Sequence, residues 1–263
     1  MLAIERRERI QEFLKERGTV RTTELCTLLH ASPATVRNDL NHMAKIGQIR
    51  KVHGGASLFE EGQKPSELGL GFQARAAQHE AEKAAIAEIA LEYIKTNQCI
   101  LLDASSTALA LARRLARFPK LLVVTHGIYT MLTLKDLPNI DTIMVGGFVR
   151  KHSGFIEGTI GTGILQHVHV DVAFVSANGF TIKEGLTDFN LYEVELKRKL
   201  LEDCHHIIAL VDSSKLEHTS SASFLTTDAI ETLLTDEGIT QTQRKAYRAA
   251  GVQVRVCPAL TEH

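Results

Sequence analysis

The sequence predicts an α/β protein: a larger domain with a mainly parallel sheet, preceded by a small, mostly helical N-terminal domain. Apolar residues in the N-terminal part recur at helical spacing. From Cys99 onwards, continuous apolar runs alternate with helical stretches, which is typical of parallel strands covered on both faces. At 263 residues, the chain is long enough for a small domain followed by a medium one.

Charge is unevenly distributed along the chain. Through Ala56 there are 10 Lys and Arg against 6 Asp and Glu, whereas the whole chain has 30 against 31. A basic N-terminal part on an acidic body suits a nucleic-acid partner for that part alone. The four cysteines lack metal-ligand spacing, so we expect neither a metal nor a cofactor. Without a signal peptide or an apolar stretch that spans a bilayer, we expect a cytoplasmic protein with no membrane partner.

Three helices are expected in the N-terminal part. The first covers about residues 3–16 and stops at Gly18, and a second follows it. Ser32-Pro33 is a strong start for a third helix, because it supplies an N-cap and then proline at the first helical position. This third helix extends to about Lys45.

The third helix has two contrasting faces. Val36, Leu40 and Met43 stack on one side and should pack against the first two helices. The opposite side is small and polar, with amide and cationic donors and no carboxylate; Asp39 lies off this arc. Such a face suits the DNA major groove, where Arg can address guanine and Asn adenine. A solvated helix face is the alternative, but it usually mixes Glu with Lys.

A short hairpin is expected at residues 48–56. Ile49 and Val52 alternate with cations, and the Gly54-Gly55 pair permits tight backbone geometry. After a recognition helix, such a hairpin is a wing whose cations contact phosphate or the minor groove. The N-terminal part is therefore expected to be a winged helix-turn-helix that binds double-stranded operator DNA.

Ser32 to Leu40 and Lys51 to Ala56 resemble the N-terminal signature of the DeoR family of bacterial transcriptional regulators. The family usually has arginine where this chain has Asn38 and Lys51. The operator sequence that this protein binds therefore cannot be inferred from the operators of its relatives. The expected DNA contacts come from the third helix and the wing: Ser32, Ala34, Thr35, Arg37, Asn38, Asn41, Lys45, Arg50, Lys51 and His53.

The body is expected to follow a linker. We predict a DNA-binding domain at 1–57, a linker at 58–71 and an effector-binding α/β domain at 72–263 that begins with a long helix over 72–96. The predicted strands are apolar runs at 99–103, 121–125, 142–145, 170–175, 207–212 and 232–236.

Polar or glycine-rich segments follow these runs, at the carboxyl ends where α/β sheets bind ligands. Ser105-Ser106-Thr107 leads into a helix, and hydroxyls with free backbone N–H groups there suit phosphate. Plain helix capping is the alternative reading. Lys215 follows a later run and can neutralise phosphate or contact a sugar hydroxyl.

The body also resembles the C-terminal sensor domain of the DeoR family, which is similar in fold to ribose-5-phosphate isomerase. Residues that carry this resemblance include Asp103 with Ser105-Ser106-Thr107, Gly146-Gly147, Glu193 with Lys197, and Asp212 to Lys215. The resemblance implies a phosphorylated sugar or related metabolite as effector. Its expected contacts are Asp103, Ser105, Ser106, Thr107, Thr125, His126, Gly147, Asn178, Gly179, Glu193 and Lys215.

His126 stands where the family usually has Asn, so it can alter sugar preference, make binding pH-dependent or be a spectator. Taken together, the sequence predicts a repressor of a carbohydrate operon, acting as a homodimer or homotetramer and released by a phosphorylated sugar. Two alternatives remain: an isomerase-like enzyme fused to a DNA-binding domain, and a regulator controlled by a protein partner. We expect no catalysis, since fold resemblance does not confer function.

Overall fold

The computed structural model of the chain describes residues 2–45, 49–52, 54–58, 72–150 and 153–260. Its contacts divide the chain into two compact units, Met1–Gln78 and His79–His263. The predicted linker, apart from Leu58, lies outside the described residues. Leu58 itself packs against the core of the first unit and donates its backbone N–H to Gly18 O at 3.0 Å.

The first unit contains helices and a three-stranded antiparallel sheet. Its described elements are α1 (Ala3–Arg17), β1 (Thr19–Arg21), α2 (Thr22–Leu29), α3 (Pro33–Lys45), β2 (Arg50–Val52), β3 (Gly55–Ser57) and α4 (Phe72–Ala77). The sheet order is β1-β3-β2. The three predicted N-terminal helices and the hairpin are confirmed, whereas β1 was not predicted. The segment of β1 has a single apolar residue, Val20, so no alternation marks it as a strand.

The expected apolar face of α3 forms the centre of this unit. Val36, Leu40 and Met43 are buried in one cluster with Ile10 and Leu14 of α1. Burying side chains of this size stabilises a fold by about 1.5–3 kcal/mol each. The helix is therefore held with its polar face outward.

Glycine is required where the hairpin meets β1. Gly54 has a φ of 79°, which favours glycine, and a Cβ on Gly55 would lie 2.2 Å from Val20 O. The expectation that the Gly-Gly pair allows tight backbone geometry is thus confirmed.

Asp39 is buried and joins α1 to α3. Its carboxylate accepts from Arg6 Nε at 2.5 Å and from Arg7 Nε at 3.0 Å, and its side chain is 3% exposed. Because this carboxylate points to α1, the acidic residue of α3 does not contribute negative charge to the exposed face.

The second unit is built from alternating strands and helices. Its helices are α5 (Glu80–Ala90), α6 (Ser106–Ala112), α7 (Ile128–Leu134), α8 (Leu191–Leu201) and α9 (Gln241–Ala249). Its strands are β4 (Cys99–Leu102), β5 (Leu121–Thr125), β6 (Ile140–Met144), β7 (Val172–Val175), β8 (Gly179–Thr181), β9 (Gly185–Asp188), β10 (Ile207–Leu210), β11 (Ala222–Leu225), β12 (Thr232–Asp236) and β13 (Gln253–Cys257). Across the described ranges, none of the helices has both the length and the apolar character needed to span a membrane.

Seven strands form one parallel sheet in the order β13-β12-β10-β7-β4-β5-β6. Alternate residues enter cores on opposite faces: Leu101 of β4 joins one buried cluster, and Ile100 and Leu102 join the other. All six predicted runs are strands here, so the α/β class with a mainly parallel sheet is confirmed. The small antiparallel sheet β11-β9-β8 and the edge strand β13 were not predicted.

The single long helix expected over 72–96 is wrong. Helix α4 ends at Ala77, and α5 begins at Glu80 after His79, which adopts a left-handed conformation with a φ of 51°. A residue in that conformation cannot continue a right-handed helix. After α5 the chain tightens into a 3-10 turn, Leu91–Tyr93, and leaves helical geometry at Ile94.

Candidate functional site

The polar face of α3 is open to solvent. Ser32, Ala34, Arg37, Asn38 and Asn41 are exposed, and Thr35 is half-buried. Of the remaining DNA-contact candidates, Lys51 is exposed, His53 lies outside the described residues, and the side chains of Lys45 and Arg50 are also outside them. The described part of this face therefore offers amide, hydroxyl and cationic groups.

Ser32 and Thr35 have a structural role at the start of α3. Ser32 Oγ accepts from the backbone N–H of Thr35 at 3.2 Å, and the two hydroxyl oxygens are 2.8 Å apart. This is the N-cap that the Ser-Pro start predicts. The cap fixes the first turn of the helix that carries Arg37.

The wing contacts the exposed side of α3. Lys51 Nζ of β2 donates to Asn41 Oδ1 of α3 at 2.7 Å. A shallow cavity of about 400 Å³ lies beside this contact, lined by residues of α3, β2 and the turn after it, including Arg37, Leu40 and Lys51. Helix and wing thus form one continuous surface, in which the apolar residues Leu40 and Val52 lie beside the polar groups.

In the second unit, the predicted strand-end residues follow five neighbouring strands. In the order of the sheet, Lys215 comes after β10, Asn178 after β7, Asp103 after β4, His126 after β5 and Gly147 after β6. Because the strands are parallel, these residues lie along one edge of the sheet. Neighbouring strands are about 4.8 Å apart, so the ends of β10 and β4 are separated by roughly 10 Å.

A buried cluster of charged groups lies at the centre of this edge. Lys197 Nζ of α8 is 2.8 Å from Asp188 Oδ2, 3.2 Å from Asp103 Oδ2 and 3.6 Å from Glu193 Oε1. It also donates to Ser176 O at 3.0 Å. These four charged side chains are between 1% and 7% exposed.

Electrostatics keep Lys197 charged in this cluster. Burial alone would lower the pKa of its ammonium, but the carboxylates of Asp188, Asp103 and Glu193 hold that pKa above its ordinary value. Asn178 Nδ2 donates to the other oxygen of Asp188, so this predicted residue joins the cluster through a carboxylate.

Lys197 and Asp188 received no role from the sequence. The spacing of Glu193 and Lys197, four residues apart, placed both on one face of a helix and was the available signal. Asp188 ends β9, the central strand of a small antiparallel sheet that the sequence did not predict, and it was not itself singled out from the sequence.

His126 is fully enclosed beside the same cluster. Its side chain has no exposed surface, and neither ring nitrogen has a hydrogen-bond partner among the described residues. Glu193 Oε1 lies 4.0 Å from His126 Nε2. A buried imidazole without a hydrogen bond is costly. Asp212 Oδ2, after β10, is a further buried atom at this edge without a hydrogen-bond partner among the described residues.

A second set of interacting polar residues, which the sequence did not predict, lies at the start of α8. Glu157 is buried and accepts from Asn190 Nδ2, the N-cap residue of α8, at 2.8 Å. Its other oxygen accepts from Arg150 Nε, and the Arg150 guanidinium lies 4.8 Å from the ring centre of Tyr192. These contacts tie the segment after β6 to the first turn of α8.

The serine-threonine segment after β4 caps α6. Ser105 Oγ accepts from the backbone N–H of Ala108 at 3.0 Å, and the Ser105 N–H donates to Asp103 Oδ1 at 3.0 Å. Ser106 and Thr107 form the first turn of α6. Ser105 is therefore the N-cap of α6, as the capping interpretation predicts.

Three further predicted residues have structural explanations. The Thr125 hydroxyl accepts from the Gly127 N–H at 3.0 Å. A Cβ on Gly147 would lie 2.4 Å from Glu157 O, and one on Gly179 would lie 2.4 Å from His218 O. Close backbone approach thus requires both glycines.

Lys215 ends a 3-10 turn, Ser213–Lys215, that Asp236 holds in place. Asp236 accepts from the Ser213 N–H at 2.6 Å, the Ser213 hydroxyl at 2.7 Å and the Gly238 N–H at 2.9 Å. Burial alone would raise the pKa of Asp236, but these hydrogen bonds lower it below its usual range. Lys215 itself is buried, unlike a solvated surface lysine.

A winged helix-turn-helix with an open polar recognition face, together with an α/β unit, defines the class: a DNA-binding transcriptional regulator. Residues 6–61 match the model of the DeoR-like helix-turn-helix domain, and residues 78–237 match that of the DeoR C terminal sensor domain. The chain belongs to the DeoR family of transcriptional regulators.

Relatives align over nearly the whole chain. The HTH-type transcriptional regulator GolR of Listeria innocua is 43% identical over 97% of this chain and 99% of its own length. The putative aga operon transcriptional repressor of Escherichia coli O157:H7 is 29% identical, covering 95% and 92% of the two chains. The glycerol-3-phosphate regulon repressor of Escherichia coli K12 is 28% identical, covering 90% and 92%.

Among solved structures, a ribose-5-phosphate isomerase in complex with phospho-erythronic acid matches at 18% identity. The match covers 51% of this chain and 52% of the isomerase, with a TM-score of 0.39. A score this low carries no argument about fold or activity.

Proposed function

We propose that this protein is a repressor of a carbohydrate operon that leaves its operator when a phosphorylated sugar or related metabolite binds the second unit. The observation that carries the proposal is the carboxylate-free exposed face of α3, since Asp39 is withdrawn into the ion pairs with α1. Two relatives described as repressors, of the aga operon and of the glycerol-3-phosphate regulon, support it.

The proposed effector site is the edge formed by the ends of β10, β7, β4, β5 and β6. The carboxylates of the buried charged cluster, among them Asp103 and Glu193, are acceptors that suit sugar hydroxyls. Ser106, Thr107 and Lys215 offer donors that suit phosphate. The ends of β4 and β10, which carry these donors, are separated by roughly 10 Å at this edge.

The proposed architecture keeps the division into a DNA-binding domain at 1–57, a linker at 58–71 and an effector domain at 72–263. Two or four subunits associate so that paired DNA-binding domains reach two operator half-sites. The protein acts in the cytoplasm, where its DNA target is. Sedimentation of the full chain with and without operator DNA tests the subunit number.

The decisive experiment is a panel of sugar phosphates scored by release of operator DNA, the operator having first been selected from random duplexes. A cognate effector should weaken DNA binding by roughly 5- to 150-fold, which corresponds to a coupling free energy of about 1–3 kcal/mol. Lys215→Ala should bind the operator normally and lose most of this response. The scheme fails if every ligand that binds the second unit leaves the affinity for operator DNA the same as it is without ligand.

Catalysis is the competing function for the same edge, because Asp103, Glu193 and Lys215 are acid-base groups by type. We propose that the protein binds its effector without converting it. Incubation with the cognate sugar phosphate, followed by product analysis, tests this point. Product formation that disappears in Glu193→Gln would instead identify an enzyme.

Control by a protein partner is the second alternative. A thermal-shift screen separates it from metabolite sensing, because a ligand that binds the folded state raises the Tm by mass action. Stabilisation by a sugar phosphate supports the sensor. Silence across a broad metabolite panel would favour a protein partner.

A further inference from the structure

The contact between Lys51 and Asn41 changes what this surface can read in DNA. The two residues come from different elements, the wing strand β2 and the recognition helix α3, and both are exposed. Lys51 Nζ donates to Asn41 Oδ1 at 2.7 Å, a good hydrogen-bond length. A wing cation and a helix amide therefore present their remaining hydrogen-bonding groups together.

An isolated asparagine reads adenine through two hydrogen bonds. Its carbonyl oxygen accepts from the N6 amino group, and its amide donates to N7. In this protein an ammonium group already occupies Asn41 Oδ1. An amide oxygen has a second lone pair, but the ammonium 2.7 Å away repels the partial positive charge of an adenine amino group that would share this oxygen, so adenine is disfavoured beside Asn41.

The groups that stay available on this pair are donors. Asn41 keeps its amide N–H groups, and the ammonium of Lys51 keeps two of its three N–H groups. In the major groove, guanine presents two acceptors, N7 and O6, with no donor between them. A paired set of donors therefore matches guanine.

We propose that Asn41 and Lys51 act as one unit that reads a guanine in the major groove of the operator. This inference rests on the proposed DNA-binding function and adds the base that the pair selects. It also gives Lys51 a role different from a wing cation that contacts phosphate, which would carry no sequence information.

The test selects binding sites from random duplex DNA with the full chain and with single variants. The wild-type protein should select guanine at one position in each half-site. On matched duplexes it should prefer guanine over adenine there by about 5- to 150-fold, the range for a good paired contact.

The Lys51→Ala variant gives the sharpest readout. With the ammonium removed, Asn41 Oδ1 is free to accept from adenine, so the preference at this position should move from guanine to adenine. Asn41→Ala should weaken the guanine preference with no gain for adenine. His42→Ala is the control, because it removes another exposed side chain of α3 that lies outside the expected DNA contacts, and it should keep guanine here.

Two results would overturn the inference. Lys51→Ala could lower the affinity for all duplexes equally and leave the guanine preference intact, which is the behaviour of a phosphate contact. Alternatively, the position sensitive to Asn41→Ala could be adenine in the wild-type site. Failure of the proposed function is a separate outcome, since the wild-type protein would then enrich no sequence at all.

Discussion

Lys197→Met removes an ammonium group from a buried cluster of three carboxylates while keeping a side chain of similar length. The nearest distances from Nζ are 2.8 Å to Asp188, 3.2 Å to Asp103 and 3.6 Å to Glu193. Asp103 keeps the N–H groups of Ser105 and Ser176, but its charge loses its ammonium partner. Removing one member of such a buried group costs about 3–5 kcal/mol.

This loss should be visible as a fall in Tm of about 6–20 °C, because 1 kcal/mol corresponds to about 2–4 °C in a domain of this size. The raised pKa of Lys197 means that its contribution is fully present below the ordinary lysine pKa of about 10.4. It is lost only as the pH rises through the higher pKa of the folded state. Measurements at pH 7 therefore report the whole effect.

Tyrosine fluorescence is a selective probe for this experiment. The chain has no tryptophan, and its four tyrosines, Tyr93, Tyr129, Tyr192 and Tyr247, all belong to the second unit. Lys199→Met is the matched control on the same helix, where solvent screens an exposed pair with Glu202 and leaves it little effect on stability. Equal small losses in the two variants would refute the assignment of a stabilising buried cluster.

Three further predictions concern single groups. Asp39→Ala removes both carboxylate contacts that hold α1 against α3, and circular dichroism of urea unfolding should show a loss of about 1.5–3 kcal/mol; an unchanged midpoint would contradict this. Gly55→Ala puts a Cβ 2.2 Å from Val20 O, so β1 and β3 must separate. We expect the free energy of unfolding to fall by about 1–3 kcal/mol and DNA binding to weaken. A variant that binds DNA with wild-type affinity would contradict this. The lowered pKa of Asp236 makes its contribution present above the ordinary carboxyl pKa of about 3.9 and lost as the pH falls through the lower folded value. Urea midpoints of Asp236→Asn and wild-type protein should thus differ at pH 7 and converge in acid, and a gap that persists at acid pH would rule this out.

Local patterns predicted much of the fold. The i, i+3, i+4 spacing of apolar residues is enough to identify α3, and its buried Val36, Leu40 and Met43 are as expected. The strands of the parallel sheet are continuous apolar runs because both of their faces are buried. The break at His79 was missed, since alanine, glutamine and arginine favour helix before it, alanine, glutamate and lysine favour helix after it, and no proline or glycine marks the turn.

The candidate site was predicted only in part. Asp103, His126 and Glu193 were chosen from strand ends and from family resemblance, and the structure brings them to one cluster. Whether they bind an effector stays a prediction. Lys197, which connects the cluster, received no role because a lysine in a helix rich in charged residues looks solvated until its burial is known.

The sequence by itself determined six of the seven strands of the parallel sheet, the polar face of the recognition helix and the polar strand ends, because each depends on neighbours along the chain. The tertiary structure decided which distant groups meet. Asp39 turns to α1, Lys51 bonds to Asn41, and Lys197 gathers three carboxylates. Such contacts join residues from separate elements, and their partners follow from packing, register and burial, which no local pattern encodes.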